Sequence, residues 1–243
     1  MTTVLGIDEA GRGPVIGPMI ICGYLVESSK ISKLKSMGVK DSKLLSPRTR
    51  ERIANELKTV ADDFILINIS AEEIDKLRTQ TNLNKIEIEK MQQIINLLNP
   101  NEVVIDSPET DCRKFEQKIR SKLKNKDIKI VAENYADKKY VVVGAASIMA
   151  KVVRDKAIEK IKRDYNVDFN SGYTSDEKTI DFLKKWFEIH NEFPPFVRKS
   201  WITVKMIKKD HEQIKIIEFL KNHKPGNAVN GPNITKDANK EIT

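Results

Sequence analysis

The sequence predicts an α/β fold: a mixed five-stranded sheet flanked by helices, with a mainly helical C-terminal extension. Three observations carry that reading. Five short apolar runs, rich in β-branched residues, punctuate the first two thirds of the chain. Segments of helical period lie between them and supply the crossovers that a mixed sheet needs. From Phe169 onward the strand signals stop and only helical ones remain.

Each element follows from its residues. Thr3–Asp8 (TVLGID) is an apolar run ending in an acid and reads as a buried strand. The glycine-rich loop Ala10–Gly17 leads to a second strand, Met19–Val26. Ser46 followed by Pro47 marks a helix start, and that helix runs to about Val60. Phe64–Ile69 is the third strand, and Ser70 with Glu73 has the spacing of a capping box. Asn82–Leu98 keeps a period near 3.6 and stops at Asn99-Pro100. Val103–Ile105 lacks polar alternation, as a strand buried on both faces does, and is stopped by Asp106 and Pro108. A helix over Cys112–Leu123, a strand at Ile128–Val131 and a long helix over Val141–Lys162 follow. The small residues Gly144–Ser147 suit close packing of that helix on the sheet. Ser175–Phe187 and Val204–Leu220 are helical, and the polar stretch after His223 reads as a disordered tail. The expected division is an α/β unit over 1–165, a helical extension over 166–223 and a tail over 224–243.

Composition removes several classes. Two cysteines, Cys22 and Cys112, exclude a disulfide framework and a cysteine-based zinc site. They make a reducing cytoplasm the expected compartment. The longest apolar run is broken by Pro18, Gly23 and Tyr24, so no transmembrane helix is expected. Met1 leads directly into a strand-like run, so no signal peptide is expected either. Against 35 Asp and Glu stand 43 Lys and Arg; the net charge of +8 permits a polyanionic partner. His190, His211 and His223 have no metal-ligand spacing and receive no role. A monomer is the default.

Acids fall at the ends of strands. Asp8 and Glu9 end the first, Asp106 ends the fourth, and Asp137 lies just past the fifth. Ligands of an open α/β sheet sit at that carboxyl edge. Adjacent strand residues point to opposite faces, so Asp8 and Glu9 can share a site only if the chain turns at Glu9. Four converging carboxylates repel one another unless a cation joins them, and hard oxygen donors suit Mg²⁺ or Mn²⁺. Two such ions make a phosphoryl-transfer site. Taken singly, each acid is equally readable as a turn former or a surface acid. The Gly11-Arg12-Gly13-Pro14 turn lacks the Lys-Ser/Thr of a nucleotide loop. Beside the acids it reads as backbone N–H groups approaching a nucleic-acid backbone, with Arg12 adding charge.

These residues resemble a known family. DEAGRGP at 8–14, GPM at 17–19, DSK at 41–43, IDSP at 105–108, the acid of YADKKY at 137 and AASIMAKVVRD at 145–155 closely resemble type 2 ribonuclease H, ribonuclease HII. PPFVRKSW at 194–201 is similar to the archaeal-type branch. The resemblance implies a ribonuclease H-like sheet. It implies an endonuclease that hydrolyses the RNA strand of RNA–DNA hybrids and cuts 5′ of ribonucleotides embedded in duplex DNA, leaving 3′-hydroxyl and 5′-phosphate ends. It implies Asp8, Glu9, Asp106 and Asp137 as catalytic metal ligands, Asp8 being shared by both ions. It implies that Gly11, Arg12 and Gly13 check the ribose 2′-hydroxyl and that Tyr173 packs on the adjoining deoxyribose. Ser42, Lys43, Ser147 and Lys151 resemble phosphate-gripping residues. The alternatives there are a turn at 41–42 and solvated lysines. Two positions depart from the family pattern: Thr174 follows Tyr173 in place of Pro, and Tyr135 stands where archaeal members often carry Lys. Trp201 is expected in the core, and Arg198 in an ion pair or on a phosphate.

Gln213, Ile216, Phe219 and Leu220 form Q-x-x-I-x-x-F-L, close to the motif by which replication proteins bind sliding clamps. An amphipathic helix folded onto the domain is the preferred reading of this segment, and burial of Phe219 would favour it. Two alternatives to the ribonuclease stay open: a two-metal nuclease of another substrate class, and a non-catalytic clamp accessory protein.

Overall fold

The computed structural model describes residues 2–39 and 45–222. Its strands are β1 (Thr3–Ala10), β2 (Met19–Glu27), β3 (Asp63–Ile69), β4 (Glu102–Asp106) and β5 (Lys129–Glu133). They form a sheet in the order β3-β2-β1-β4-β5. The first three are antiparallel neighbours, while β4 runs parallel to β1 and β5 parallel to β4. The helices are α1 (Ile31–Ser36), α2 (Pro47–Val60), α3 (Ala71–Arg78), α4 (Leu83–Leu98), α5 (Cys112–Ser121), α6 (Ala136–Lys139), α7 (Val141–Tyr165), α8 (Glu177–His190) and α9 (Ile202–Asn222). No helix among the described residues is long and apolar enough to cross a membrane.

Local chemistry sets the helix ends. Ser46 accepts from Thr49 N with Pro47 in the first turn, and Ser70 accepts from Glu73 N. Only the serine half of that capping box forms, because the Glu73 carboxylate lies 3.5 Å from Lys90 Nζ. Asn99, Asn166 and Asn191 close their helices in the left-handed conformation. The one-turn helices α1 and α6 were not expected; they are too short to show a full apolar period.

Each sheet face carries its own apolar layer. Val4, Ile20, Tyr24 and Val104 pack with α2 and α7. On the other face Leu5, Ile7, Ile105 and Ile130 pack with Met91 and Ile95 of α4 and Phe115 of α5. Helix α7 lies flat on β1, as the small residues of its first turns suggest. A Cβ on Gly6 would sit 2.3 Å from the Val142 carbonyl oxygen, so only glycine permits this approach. A third cluster joins Val15, Ile16 and Ile158 to Phe169, Phe187, Phe193 and Phe196 of the extension. Truncating one such phenylalanine costs about 3–5 kcal/mol, so the extension is docked and not merely tethered. An antiparallel bridge between Ile16 and Val197 stitches it to the loop after β1.

Candidate active site

Parallel pairing brings the acids together. Ile7 of β1 stands opposite Ile105 of β4, so Asp8 and Asp106 come next at one level and on one face, the α7 side. The first strand does not end at Asp8, nor does the chain turn at Glu9, as expected from the sequence. The strand runs to Ala10 because its pairing with β2 continues to Ala10↔Ile20. Its pairing with β4 stops at Ile7. Residues 8–10 therefore overhang the sheet on one side. Glu9 reaches the site from within a strand because no backbone flanks it there.

Asp106 does a second job. Its Oδ1 accepts from Ala136 N at 3.0 Å, which fixes the start of α6 and with it Asp137. Tyr135, in the left-handed conformation (φ 59°), supplies the bend. Asp137 is buried, and its charge acts on Asp8. Asp8, Glu9 and Asp106 line one pocket of about 370 Å³. Asp137 is not among its lining residues.

The acids perturb one another. Burial, then the Asp106 charge, pushes the Asp8 carboxyl up to about 7; the Ser147 hydroxyl and Glu9 N–H pull it down, and Asp137 pushes it further up. Burial first, then Asp8, Glu87 and Asp106, holds Glu9 well above the ordinary carboxylate range. Glu9 Oε2 is buried and accepts no hydrogen bond among the described residues. Among those residues, no three His, Cys, Asp or Glu side chains are gathered tightly enough to hold a cation as they stand. This oxygen-only donor set, with one orphaned carboxylate oxygen, fits a hard divalent ion that would draw the acids together.

The remaining expected residues divide. Lys151 lines the pocket and pairs with Asp155 at 2.6 Å. Ser147 lines it too, but its hydroxyl bonds Asp8, where the sequence pointed to phosphate. Ser42 and Lys43 lie outside the described residues. Arg12 lines the pocket and its charge acts on Glu9, while its Nε lies 2.8 Å from Glu87 Oε1 and its Nη2 donates to Asn84 Oδ1 at 2.6 Å. The carboxylate it meets is buried in α4. Gly13 faces Tyr173, since a Cβ there would lie 3.7 Å from the ring's Cε1.

Among the described residues Arg198 makes no ion pair, and its burial keeps it from a phosphate in the pocket. It is fully buried and donates to the carbonyls of Gly11, Arg12 and Gly17. Trp201 is half-buried, its Nε1 donating to the Gly13 carbonyl at 3.1 Å. Its ring lies between Arg78 and Arg198. Sequence reasoning missed Arg50, Glu87 and Arg154. Arg50 lines the pocket from α2 and donates to the Leu45 carbonyl. Glu87 had a visible signal, an acid between Ile86 and Ile88 on an apolar helix face. On α9, Ile216 and Phe219 are 58% and 60% exposed, and Gln213 is exposed. Burial of Phe219 would have favoured the folded-helix reading, and its exposure does not lend that support. The Leu220 side chain lies outside the described residues.

A family model described as Ribonuclease HII matches residues 5–204. The chain is 44% identical over 222 residues to Ribonuclease HII of Pyrococcus abyssi, covering 90% of this chain and 97% of that protein. It is similar to the crystal structure of ribonuclease H2 from Pyrococcus horikoshii OT3, with TM-score 0.82 and 38% identity, over 87% of this chain and all of that one. It is also similar to a structure of the PCNA:RNase HII complex from Archaeoglobus fulgidus, with TM-score 0.75 and 36% identity, over 82% of this chain and 95% of that one. The pocket and all of the sheet except the first residues of β1 fall inside the family match, and the chain belongs to the ribonuclease HII family, hydrolases with ribonuclease H activity.

Proposed function

We propose that the pocket cuts the RNA strand of RNA–DNA hybrids and the 5′ side of ribonucleotides embedded in duplex DNA, leaving 3′-hydroxyl and 5′-phosphate ends. The observation that carries this is the position of Asp8 and Asp106, each one residue past the last β1–β4 pair Ile7↔Ile105, with Asp137 acting on Asp8, and Asp8 and Asp106 on Glu9. Asp8, Glu9, Asp106 and Asp137 would hold Mg²⁺ or Mn²⁺, two ions per site. Bound ions of this kind polarise the phosphate and make water nucleophilic at neutral pH. The protein's part is placement. Ser147 orients Asp8, Asp106 anchors the turn that carries Asp137, and Lys151 and Arg50 set positive charge on the pocket wall. Peptide groups of 11–13 and the Tyr173 ring would receive the sugars on either side of the cut. The 2′-hydroxyl is the group that separates ribose from deoxyribose there. Ser42 and Lys43 would grip phosphate. The catalytic unit 1–165 then depends on the extension for Tyr173. Two free cysteines support a cytoplasmic location, and we take the enzyme to act as a monomer.

The test uses three duplexes: a continuous hybrid, a DNA duplex with one ribonucleotide, and all-DNA. Cleavage of the first two in Mg²⁺ or Mn²⁺, abolished by EDTA, is expected. Equal cutting of the all-DNA duplex, or undiminished cutting in EDTA, would overturn the reading.

A second reading concerns partners. We propose that Gln213, Ile216, Phe219 and Leu220 dock on a sliding clamp. The exposure of Ile216 and Phe219 supports this, as does the clamp-bound Archaeoglobus relative. Phe219→Ala should weaken clamp binding by about tenfold while leaving cleavage without clamp unchanged, the scale of one truncated anchor. Unaltered binding in a titration would remove the proposal.

A further inference from the structure

Two buried arginines lie beneath the sugar end of the pocket, and the chemistry uses neither. Arg198 donates from Nη2 to the Gly11 carbonyl (2.5 Å), from Nη1 to that of Arg12 (2.9 Å) and from Nε to that of Gly17 (2.9 Å). With Trp201 on the Gly13 carbonyl, every carbonyl of the 11–13 turn is held from below. Among the described residues, the N–H groups of Arg12 and Gly13 have no protein acceptor. Arg154 bridges to the other wall. Its Nη2 donates to the Ser171 carbonyl at 2.9 Å, and its guanidinium lies 5.5 Å from the centroid of the Tyr173 ring. A Cβ on Gly11 would meet Arg154 Cγ at 3.2 Å, so the same side chain packs under the turn. Gly172 completes the tie, its carbonyl accepting from Val15 N and Ile16 N.

This arrangement is expensive. The two guanidiniums are nearly inaccessible, and the Arg154 charge opposes that of Arg198. Hydrophobic packing would fill the same space without that repulsion. What arginine adds is a rigid planar fork that fixes several carbonyls at once. Gripped carbonyls also polarise their peptide groups and strengthen the N–H donors on the far side.

We propose that Arg154 and Arg198 are positioning residues for junction recognition. They set the gap between the 11–13 peptide groups and the Tyr173 ring. That gap determines how strongly the enzyme prefers a ribose followed by a deoxyribose over continuous RNA. This rests on the substrate reading above and deepens it, since neither residue touches substrate. A continuous hybrid presents ribose at every step, so its cutting depends on the acids more than on the gap.

Full-length Arg198→Lys, Arg154→Lys and Trp201→Phe test this in Mg²⁺. Lysine keeps the charge but loses the fork, and Trp201→Phe removes the donor to Gly13 while keeping an aromatic ring beside Arg198. The readout is kcat and KM on a duplex with one ribonucleotide and on a continuous hybrid. For each arginine variant, kcat on the single ribonucleotide should fall by at least about tenfold relative to the hybrid, the scale of an ångström-level misplacement. KM should change little. Trp201→Phe should move the same ratio less, and it keeps the test alive if Arg198→Lys does not fold. Equal fractional losses on both substrates, or no loss on either, would overturn the proposal. Wild-type cutting of all-DNA duplex would instead sink the substrate reading, so the two failures are distinguishable.

Discussion

At one end of the pocket, four carboxylates crowd a sheet edge with an orphaned oxygen and a raised Asp8. At the other, a turn of three residues has each of its carbonyls bonded by a side chain from the extension. The acid end is electrostatically incomplete and its residues oppose one another. The sugar end is over-determined and its contacts agree. A site that recruits its cations gains from a cluster that is unfavourable without them, because the gain appears only on binding. A site that measures a sugar needs its gap fixed beforehand, because adjustment on binding would blur the measurement.

The acid end breaks hardest. Asp8→Asn should lower cleavage of both substrates by about 10³-fold, since bound cations contribute several kcal/mol of charge stabilisation at about 1.4 kcal/mol per decade. The same substitution removes a buried like charge, so the thermal midpoint in EDTA should hold or rise. A midpoint several degrees lower would show that Asp8 serves the fold, and the contrast between the two ends would dissolve.

Much of the acid end was legible in the residues. Asp8 and Asp106 follow apolar runs, and such runs become neighbouring strands whose ends meet. The overhang that admits Glu9 was not legible, because it depends on where β2 pairing outlasts β4 pairing, a property of partners far apart in the chain. The sugar end was harder to read. Gly11, Gly13 and Tyr173 stood out, but the roles of Arg198, Arg154 and Trp201 did not. Backbone carbonyls occur at every residue, so no sequence pattern says which ones a buried guanidinium will choose. The pairing of Arg12 with Glu87 was not legible for the related reason that Glu87 lies far along the chain, on α4.

Glycine substitutions sharpen the contrast at the next scale. Gly13→Ala places a methyl 3.7 Å from Tyr173 Cε1, an ordinary contact, so stability should stay within about 0.5 kcal/mol. That methyl occupies the sugar gap, and cutting at a single ribonucleotide should fall about 10²-fold. Gly6→Ala does the reverse. Its methyl would lie 2.3 Å from the Val142 carbonyl oxygen, and α7 must shift at a cost of about 1–3 kcal/mol. Its unfolding midpoint should drop while the substrate ratio stays fixed. A Gly13→Ala enzyme that keeps its junction activity would show that the gap is not the measuring device.

The smallest effect concerns pH, and here the two ends carry opposite signs. Asp8 moves from an ordinary 3.8 to about 7 in the folded chain, chiefly through burial. Between those values the native state binds more protons than the unfolded one, so this contribution is present below about pH 4 and is lost as pH rises through 7. Asp176 braces the segment that carries Tyr173. The Ser171 hydroxyl and then its N–H hold that carboxyl down at about 2. Its contribution is present above 3.8 and is lost as pH falls towards 2. In EDTA, the midpoint of the wild type should decline from pH 5 to 8, and Asp8→Asn should flatten that decline. Asp176→Asn should leave that limb alone and flatten the loss below pH 4. Saturating Mg²⁺ or Mn²⁺ should reverse the upper limb, because cations bind the ionised acids. If the upper limb stays flat in wild-type protein without metal, the acids are not under the mutual strain that separates the two ends.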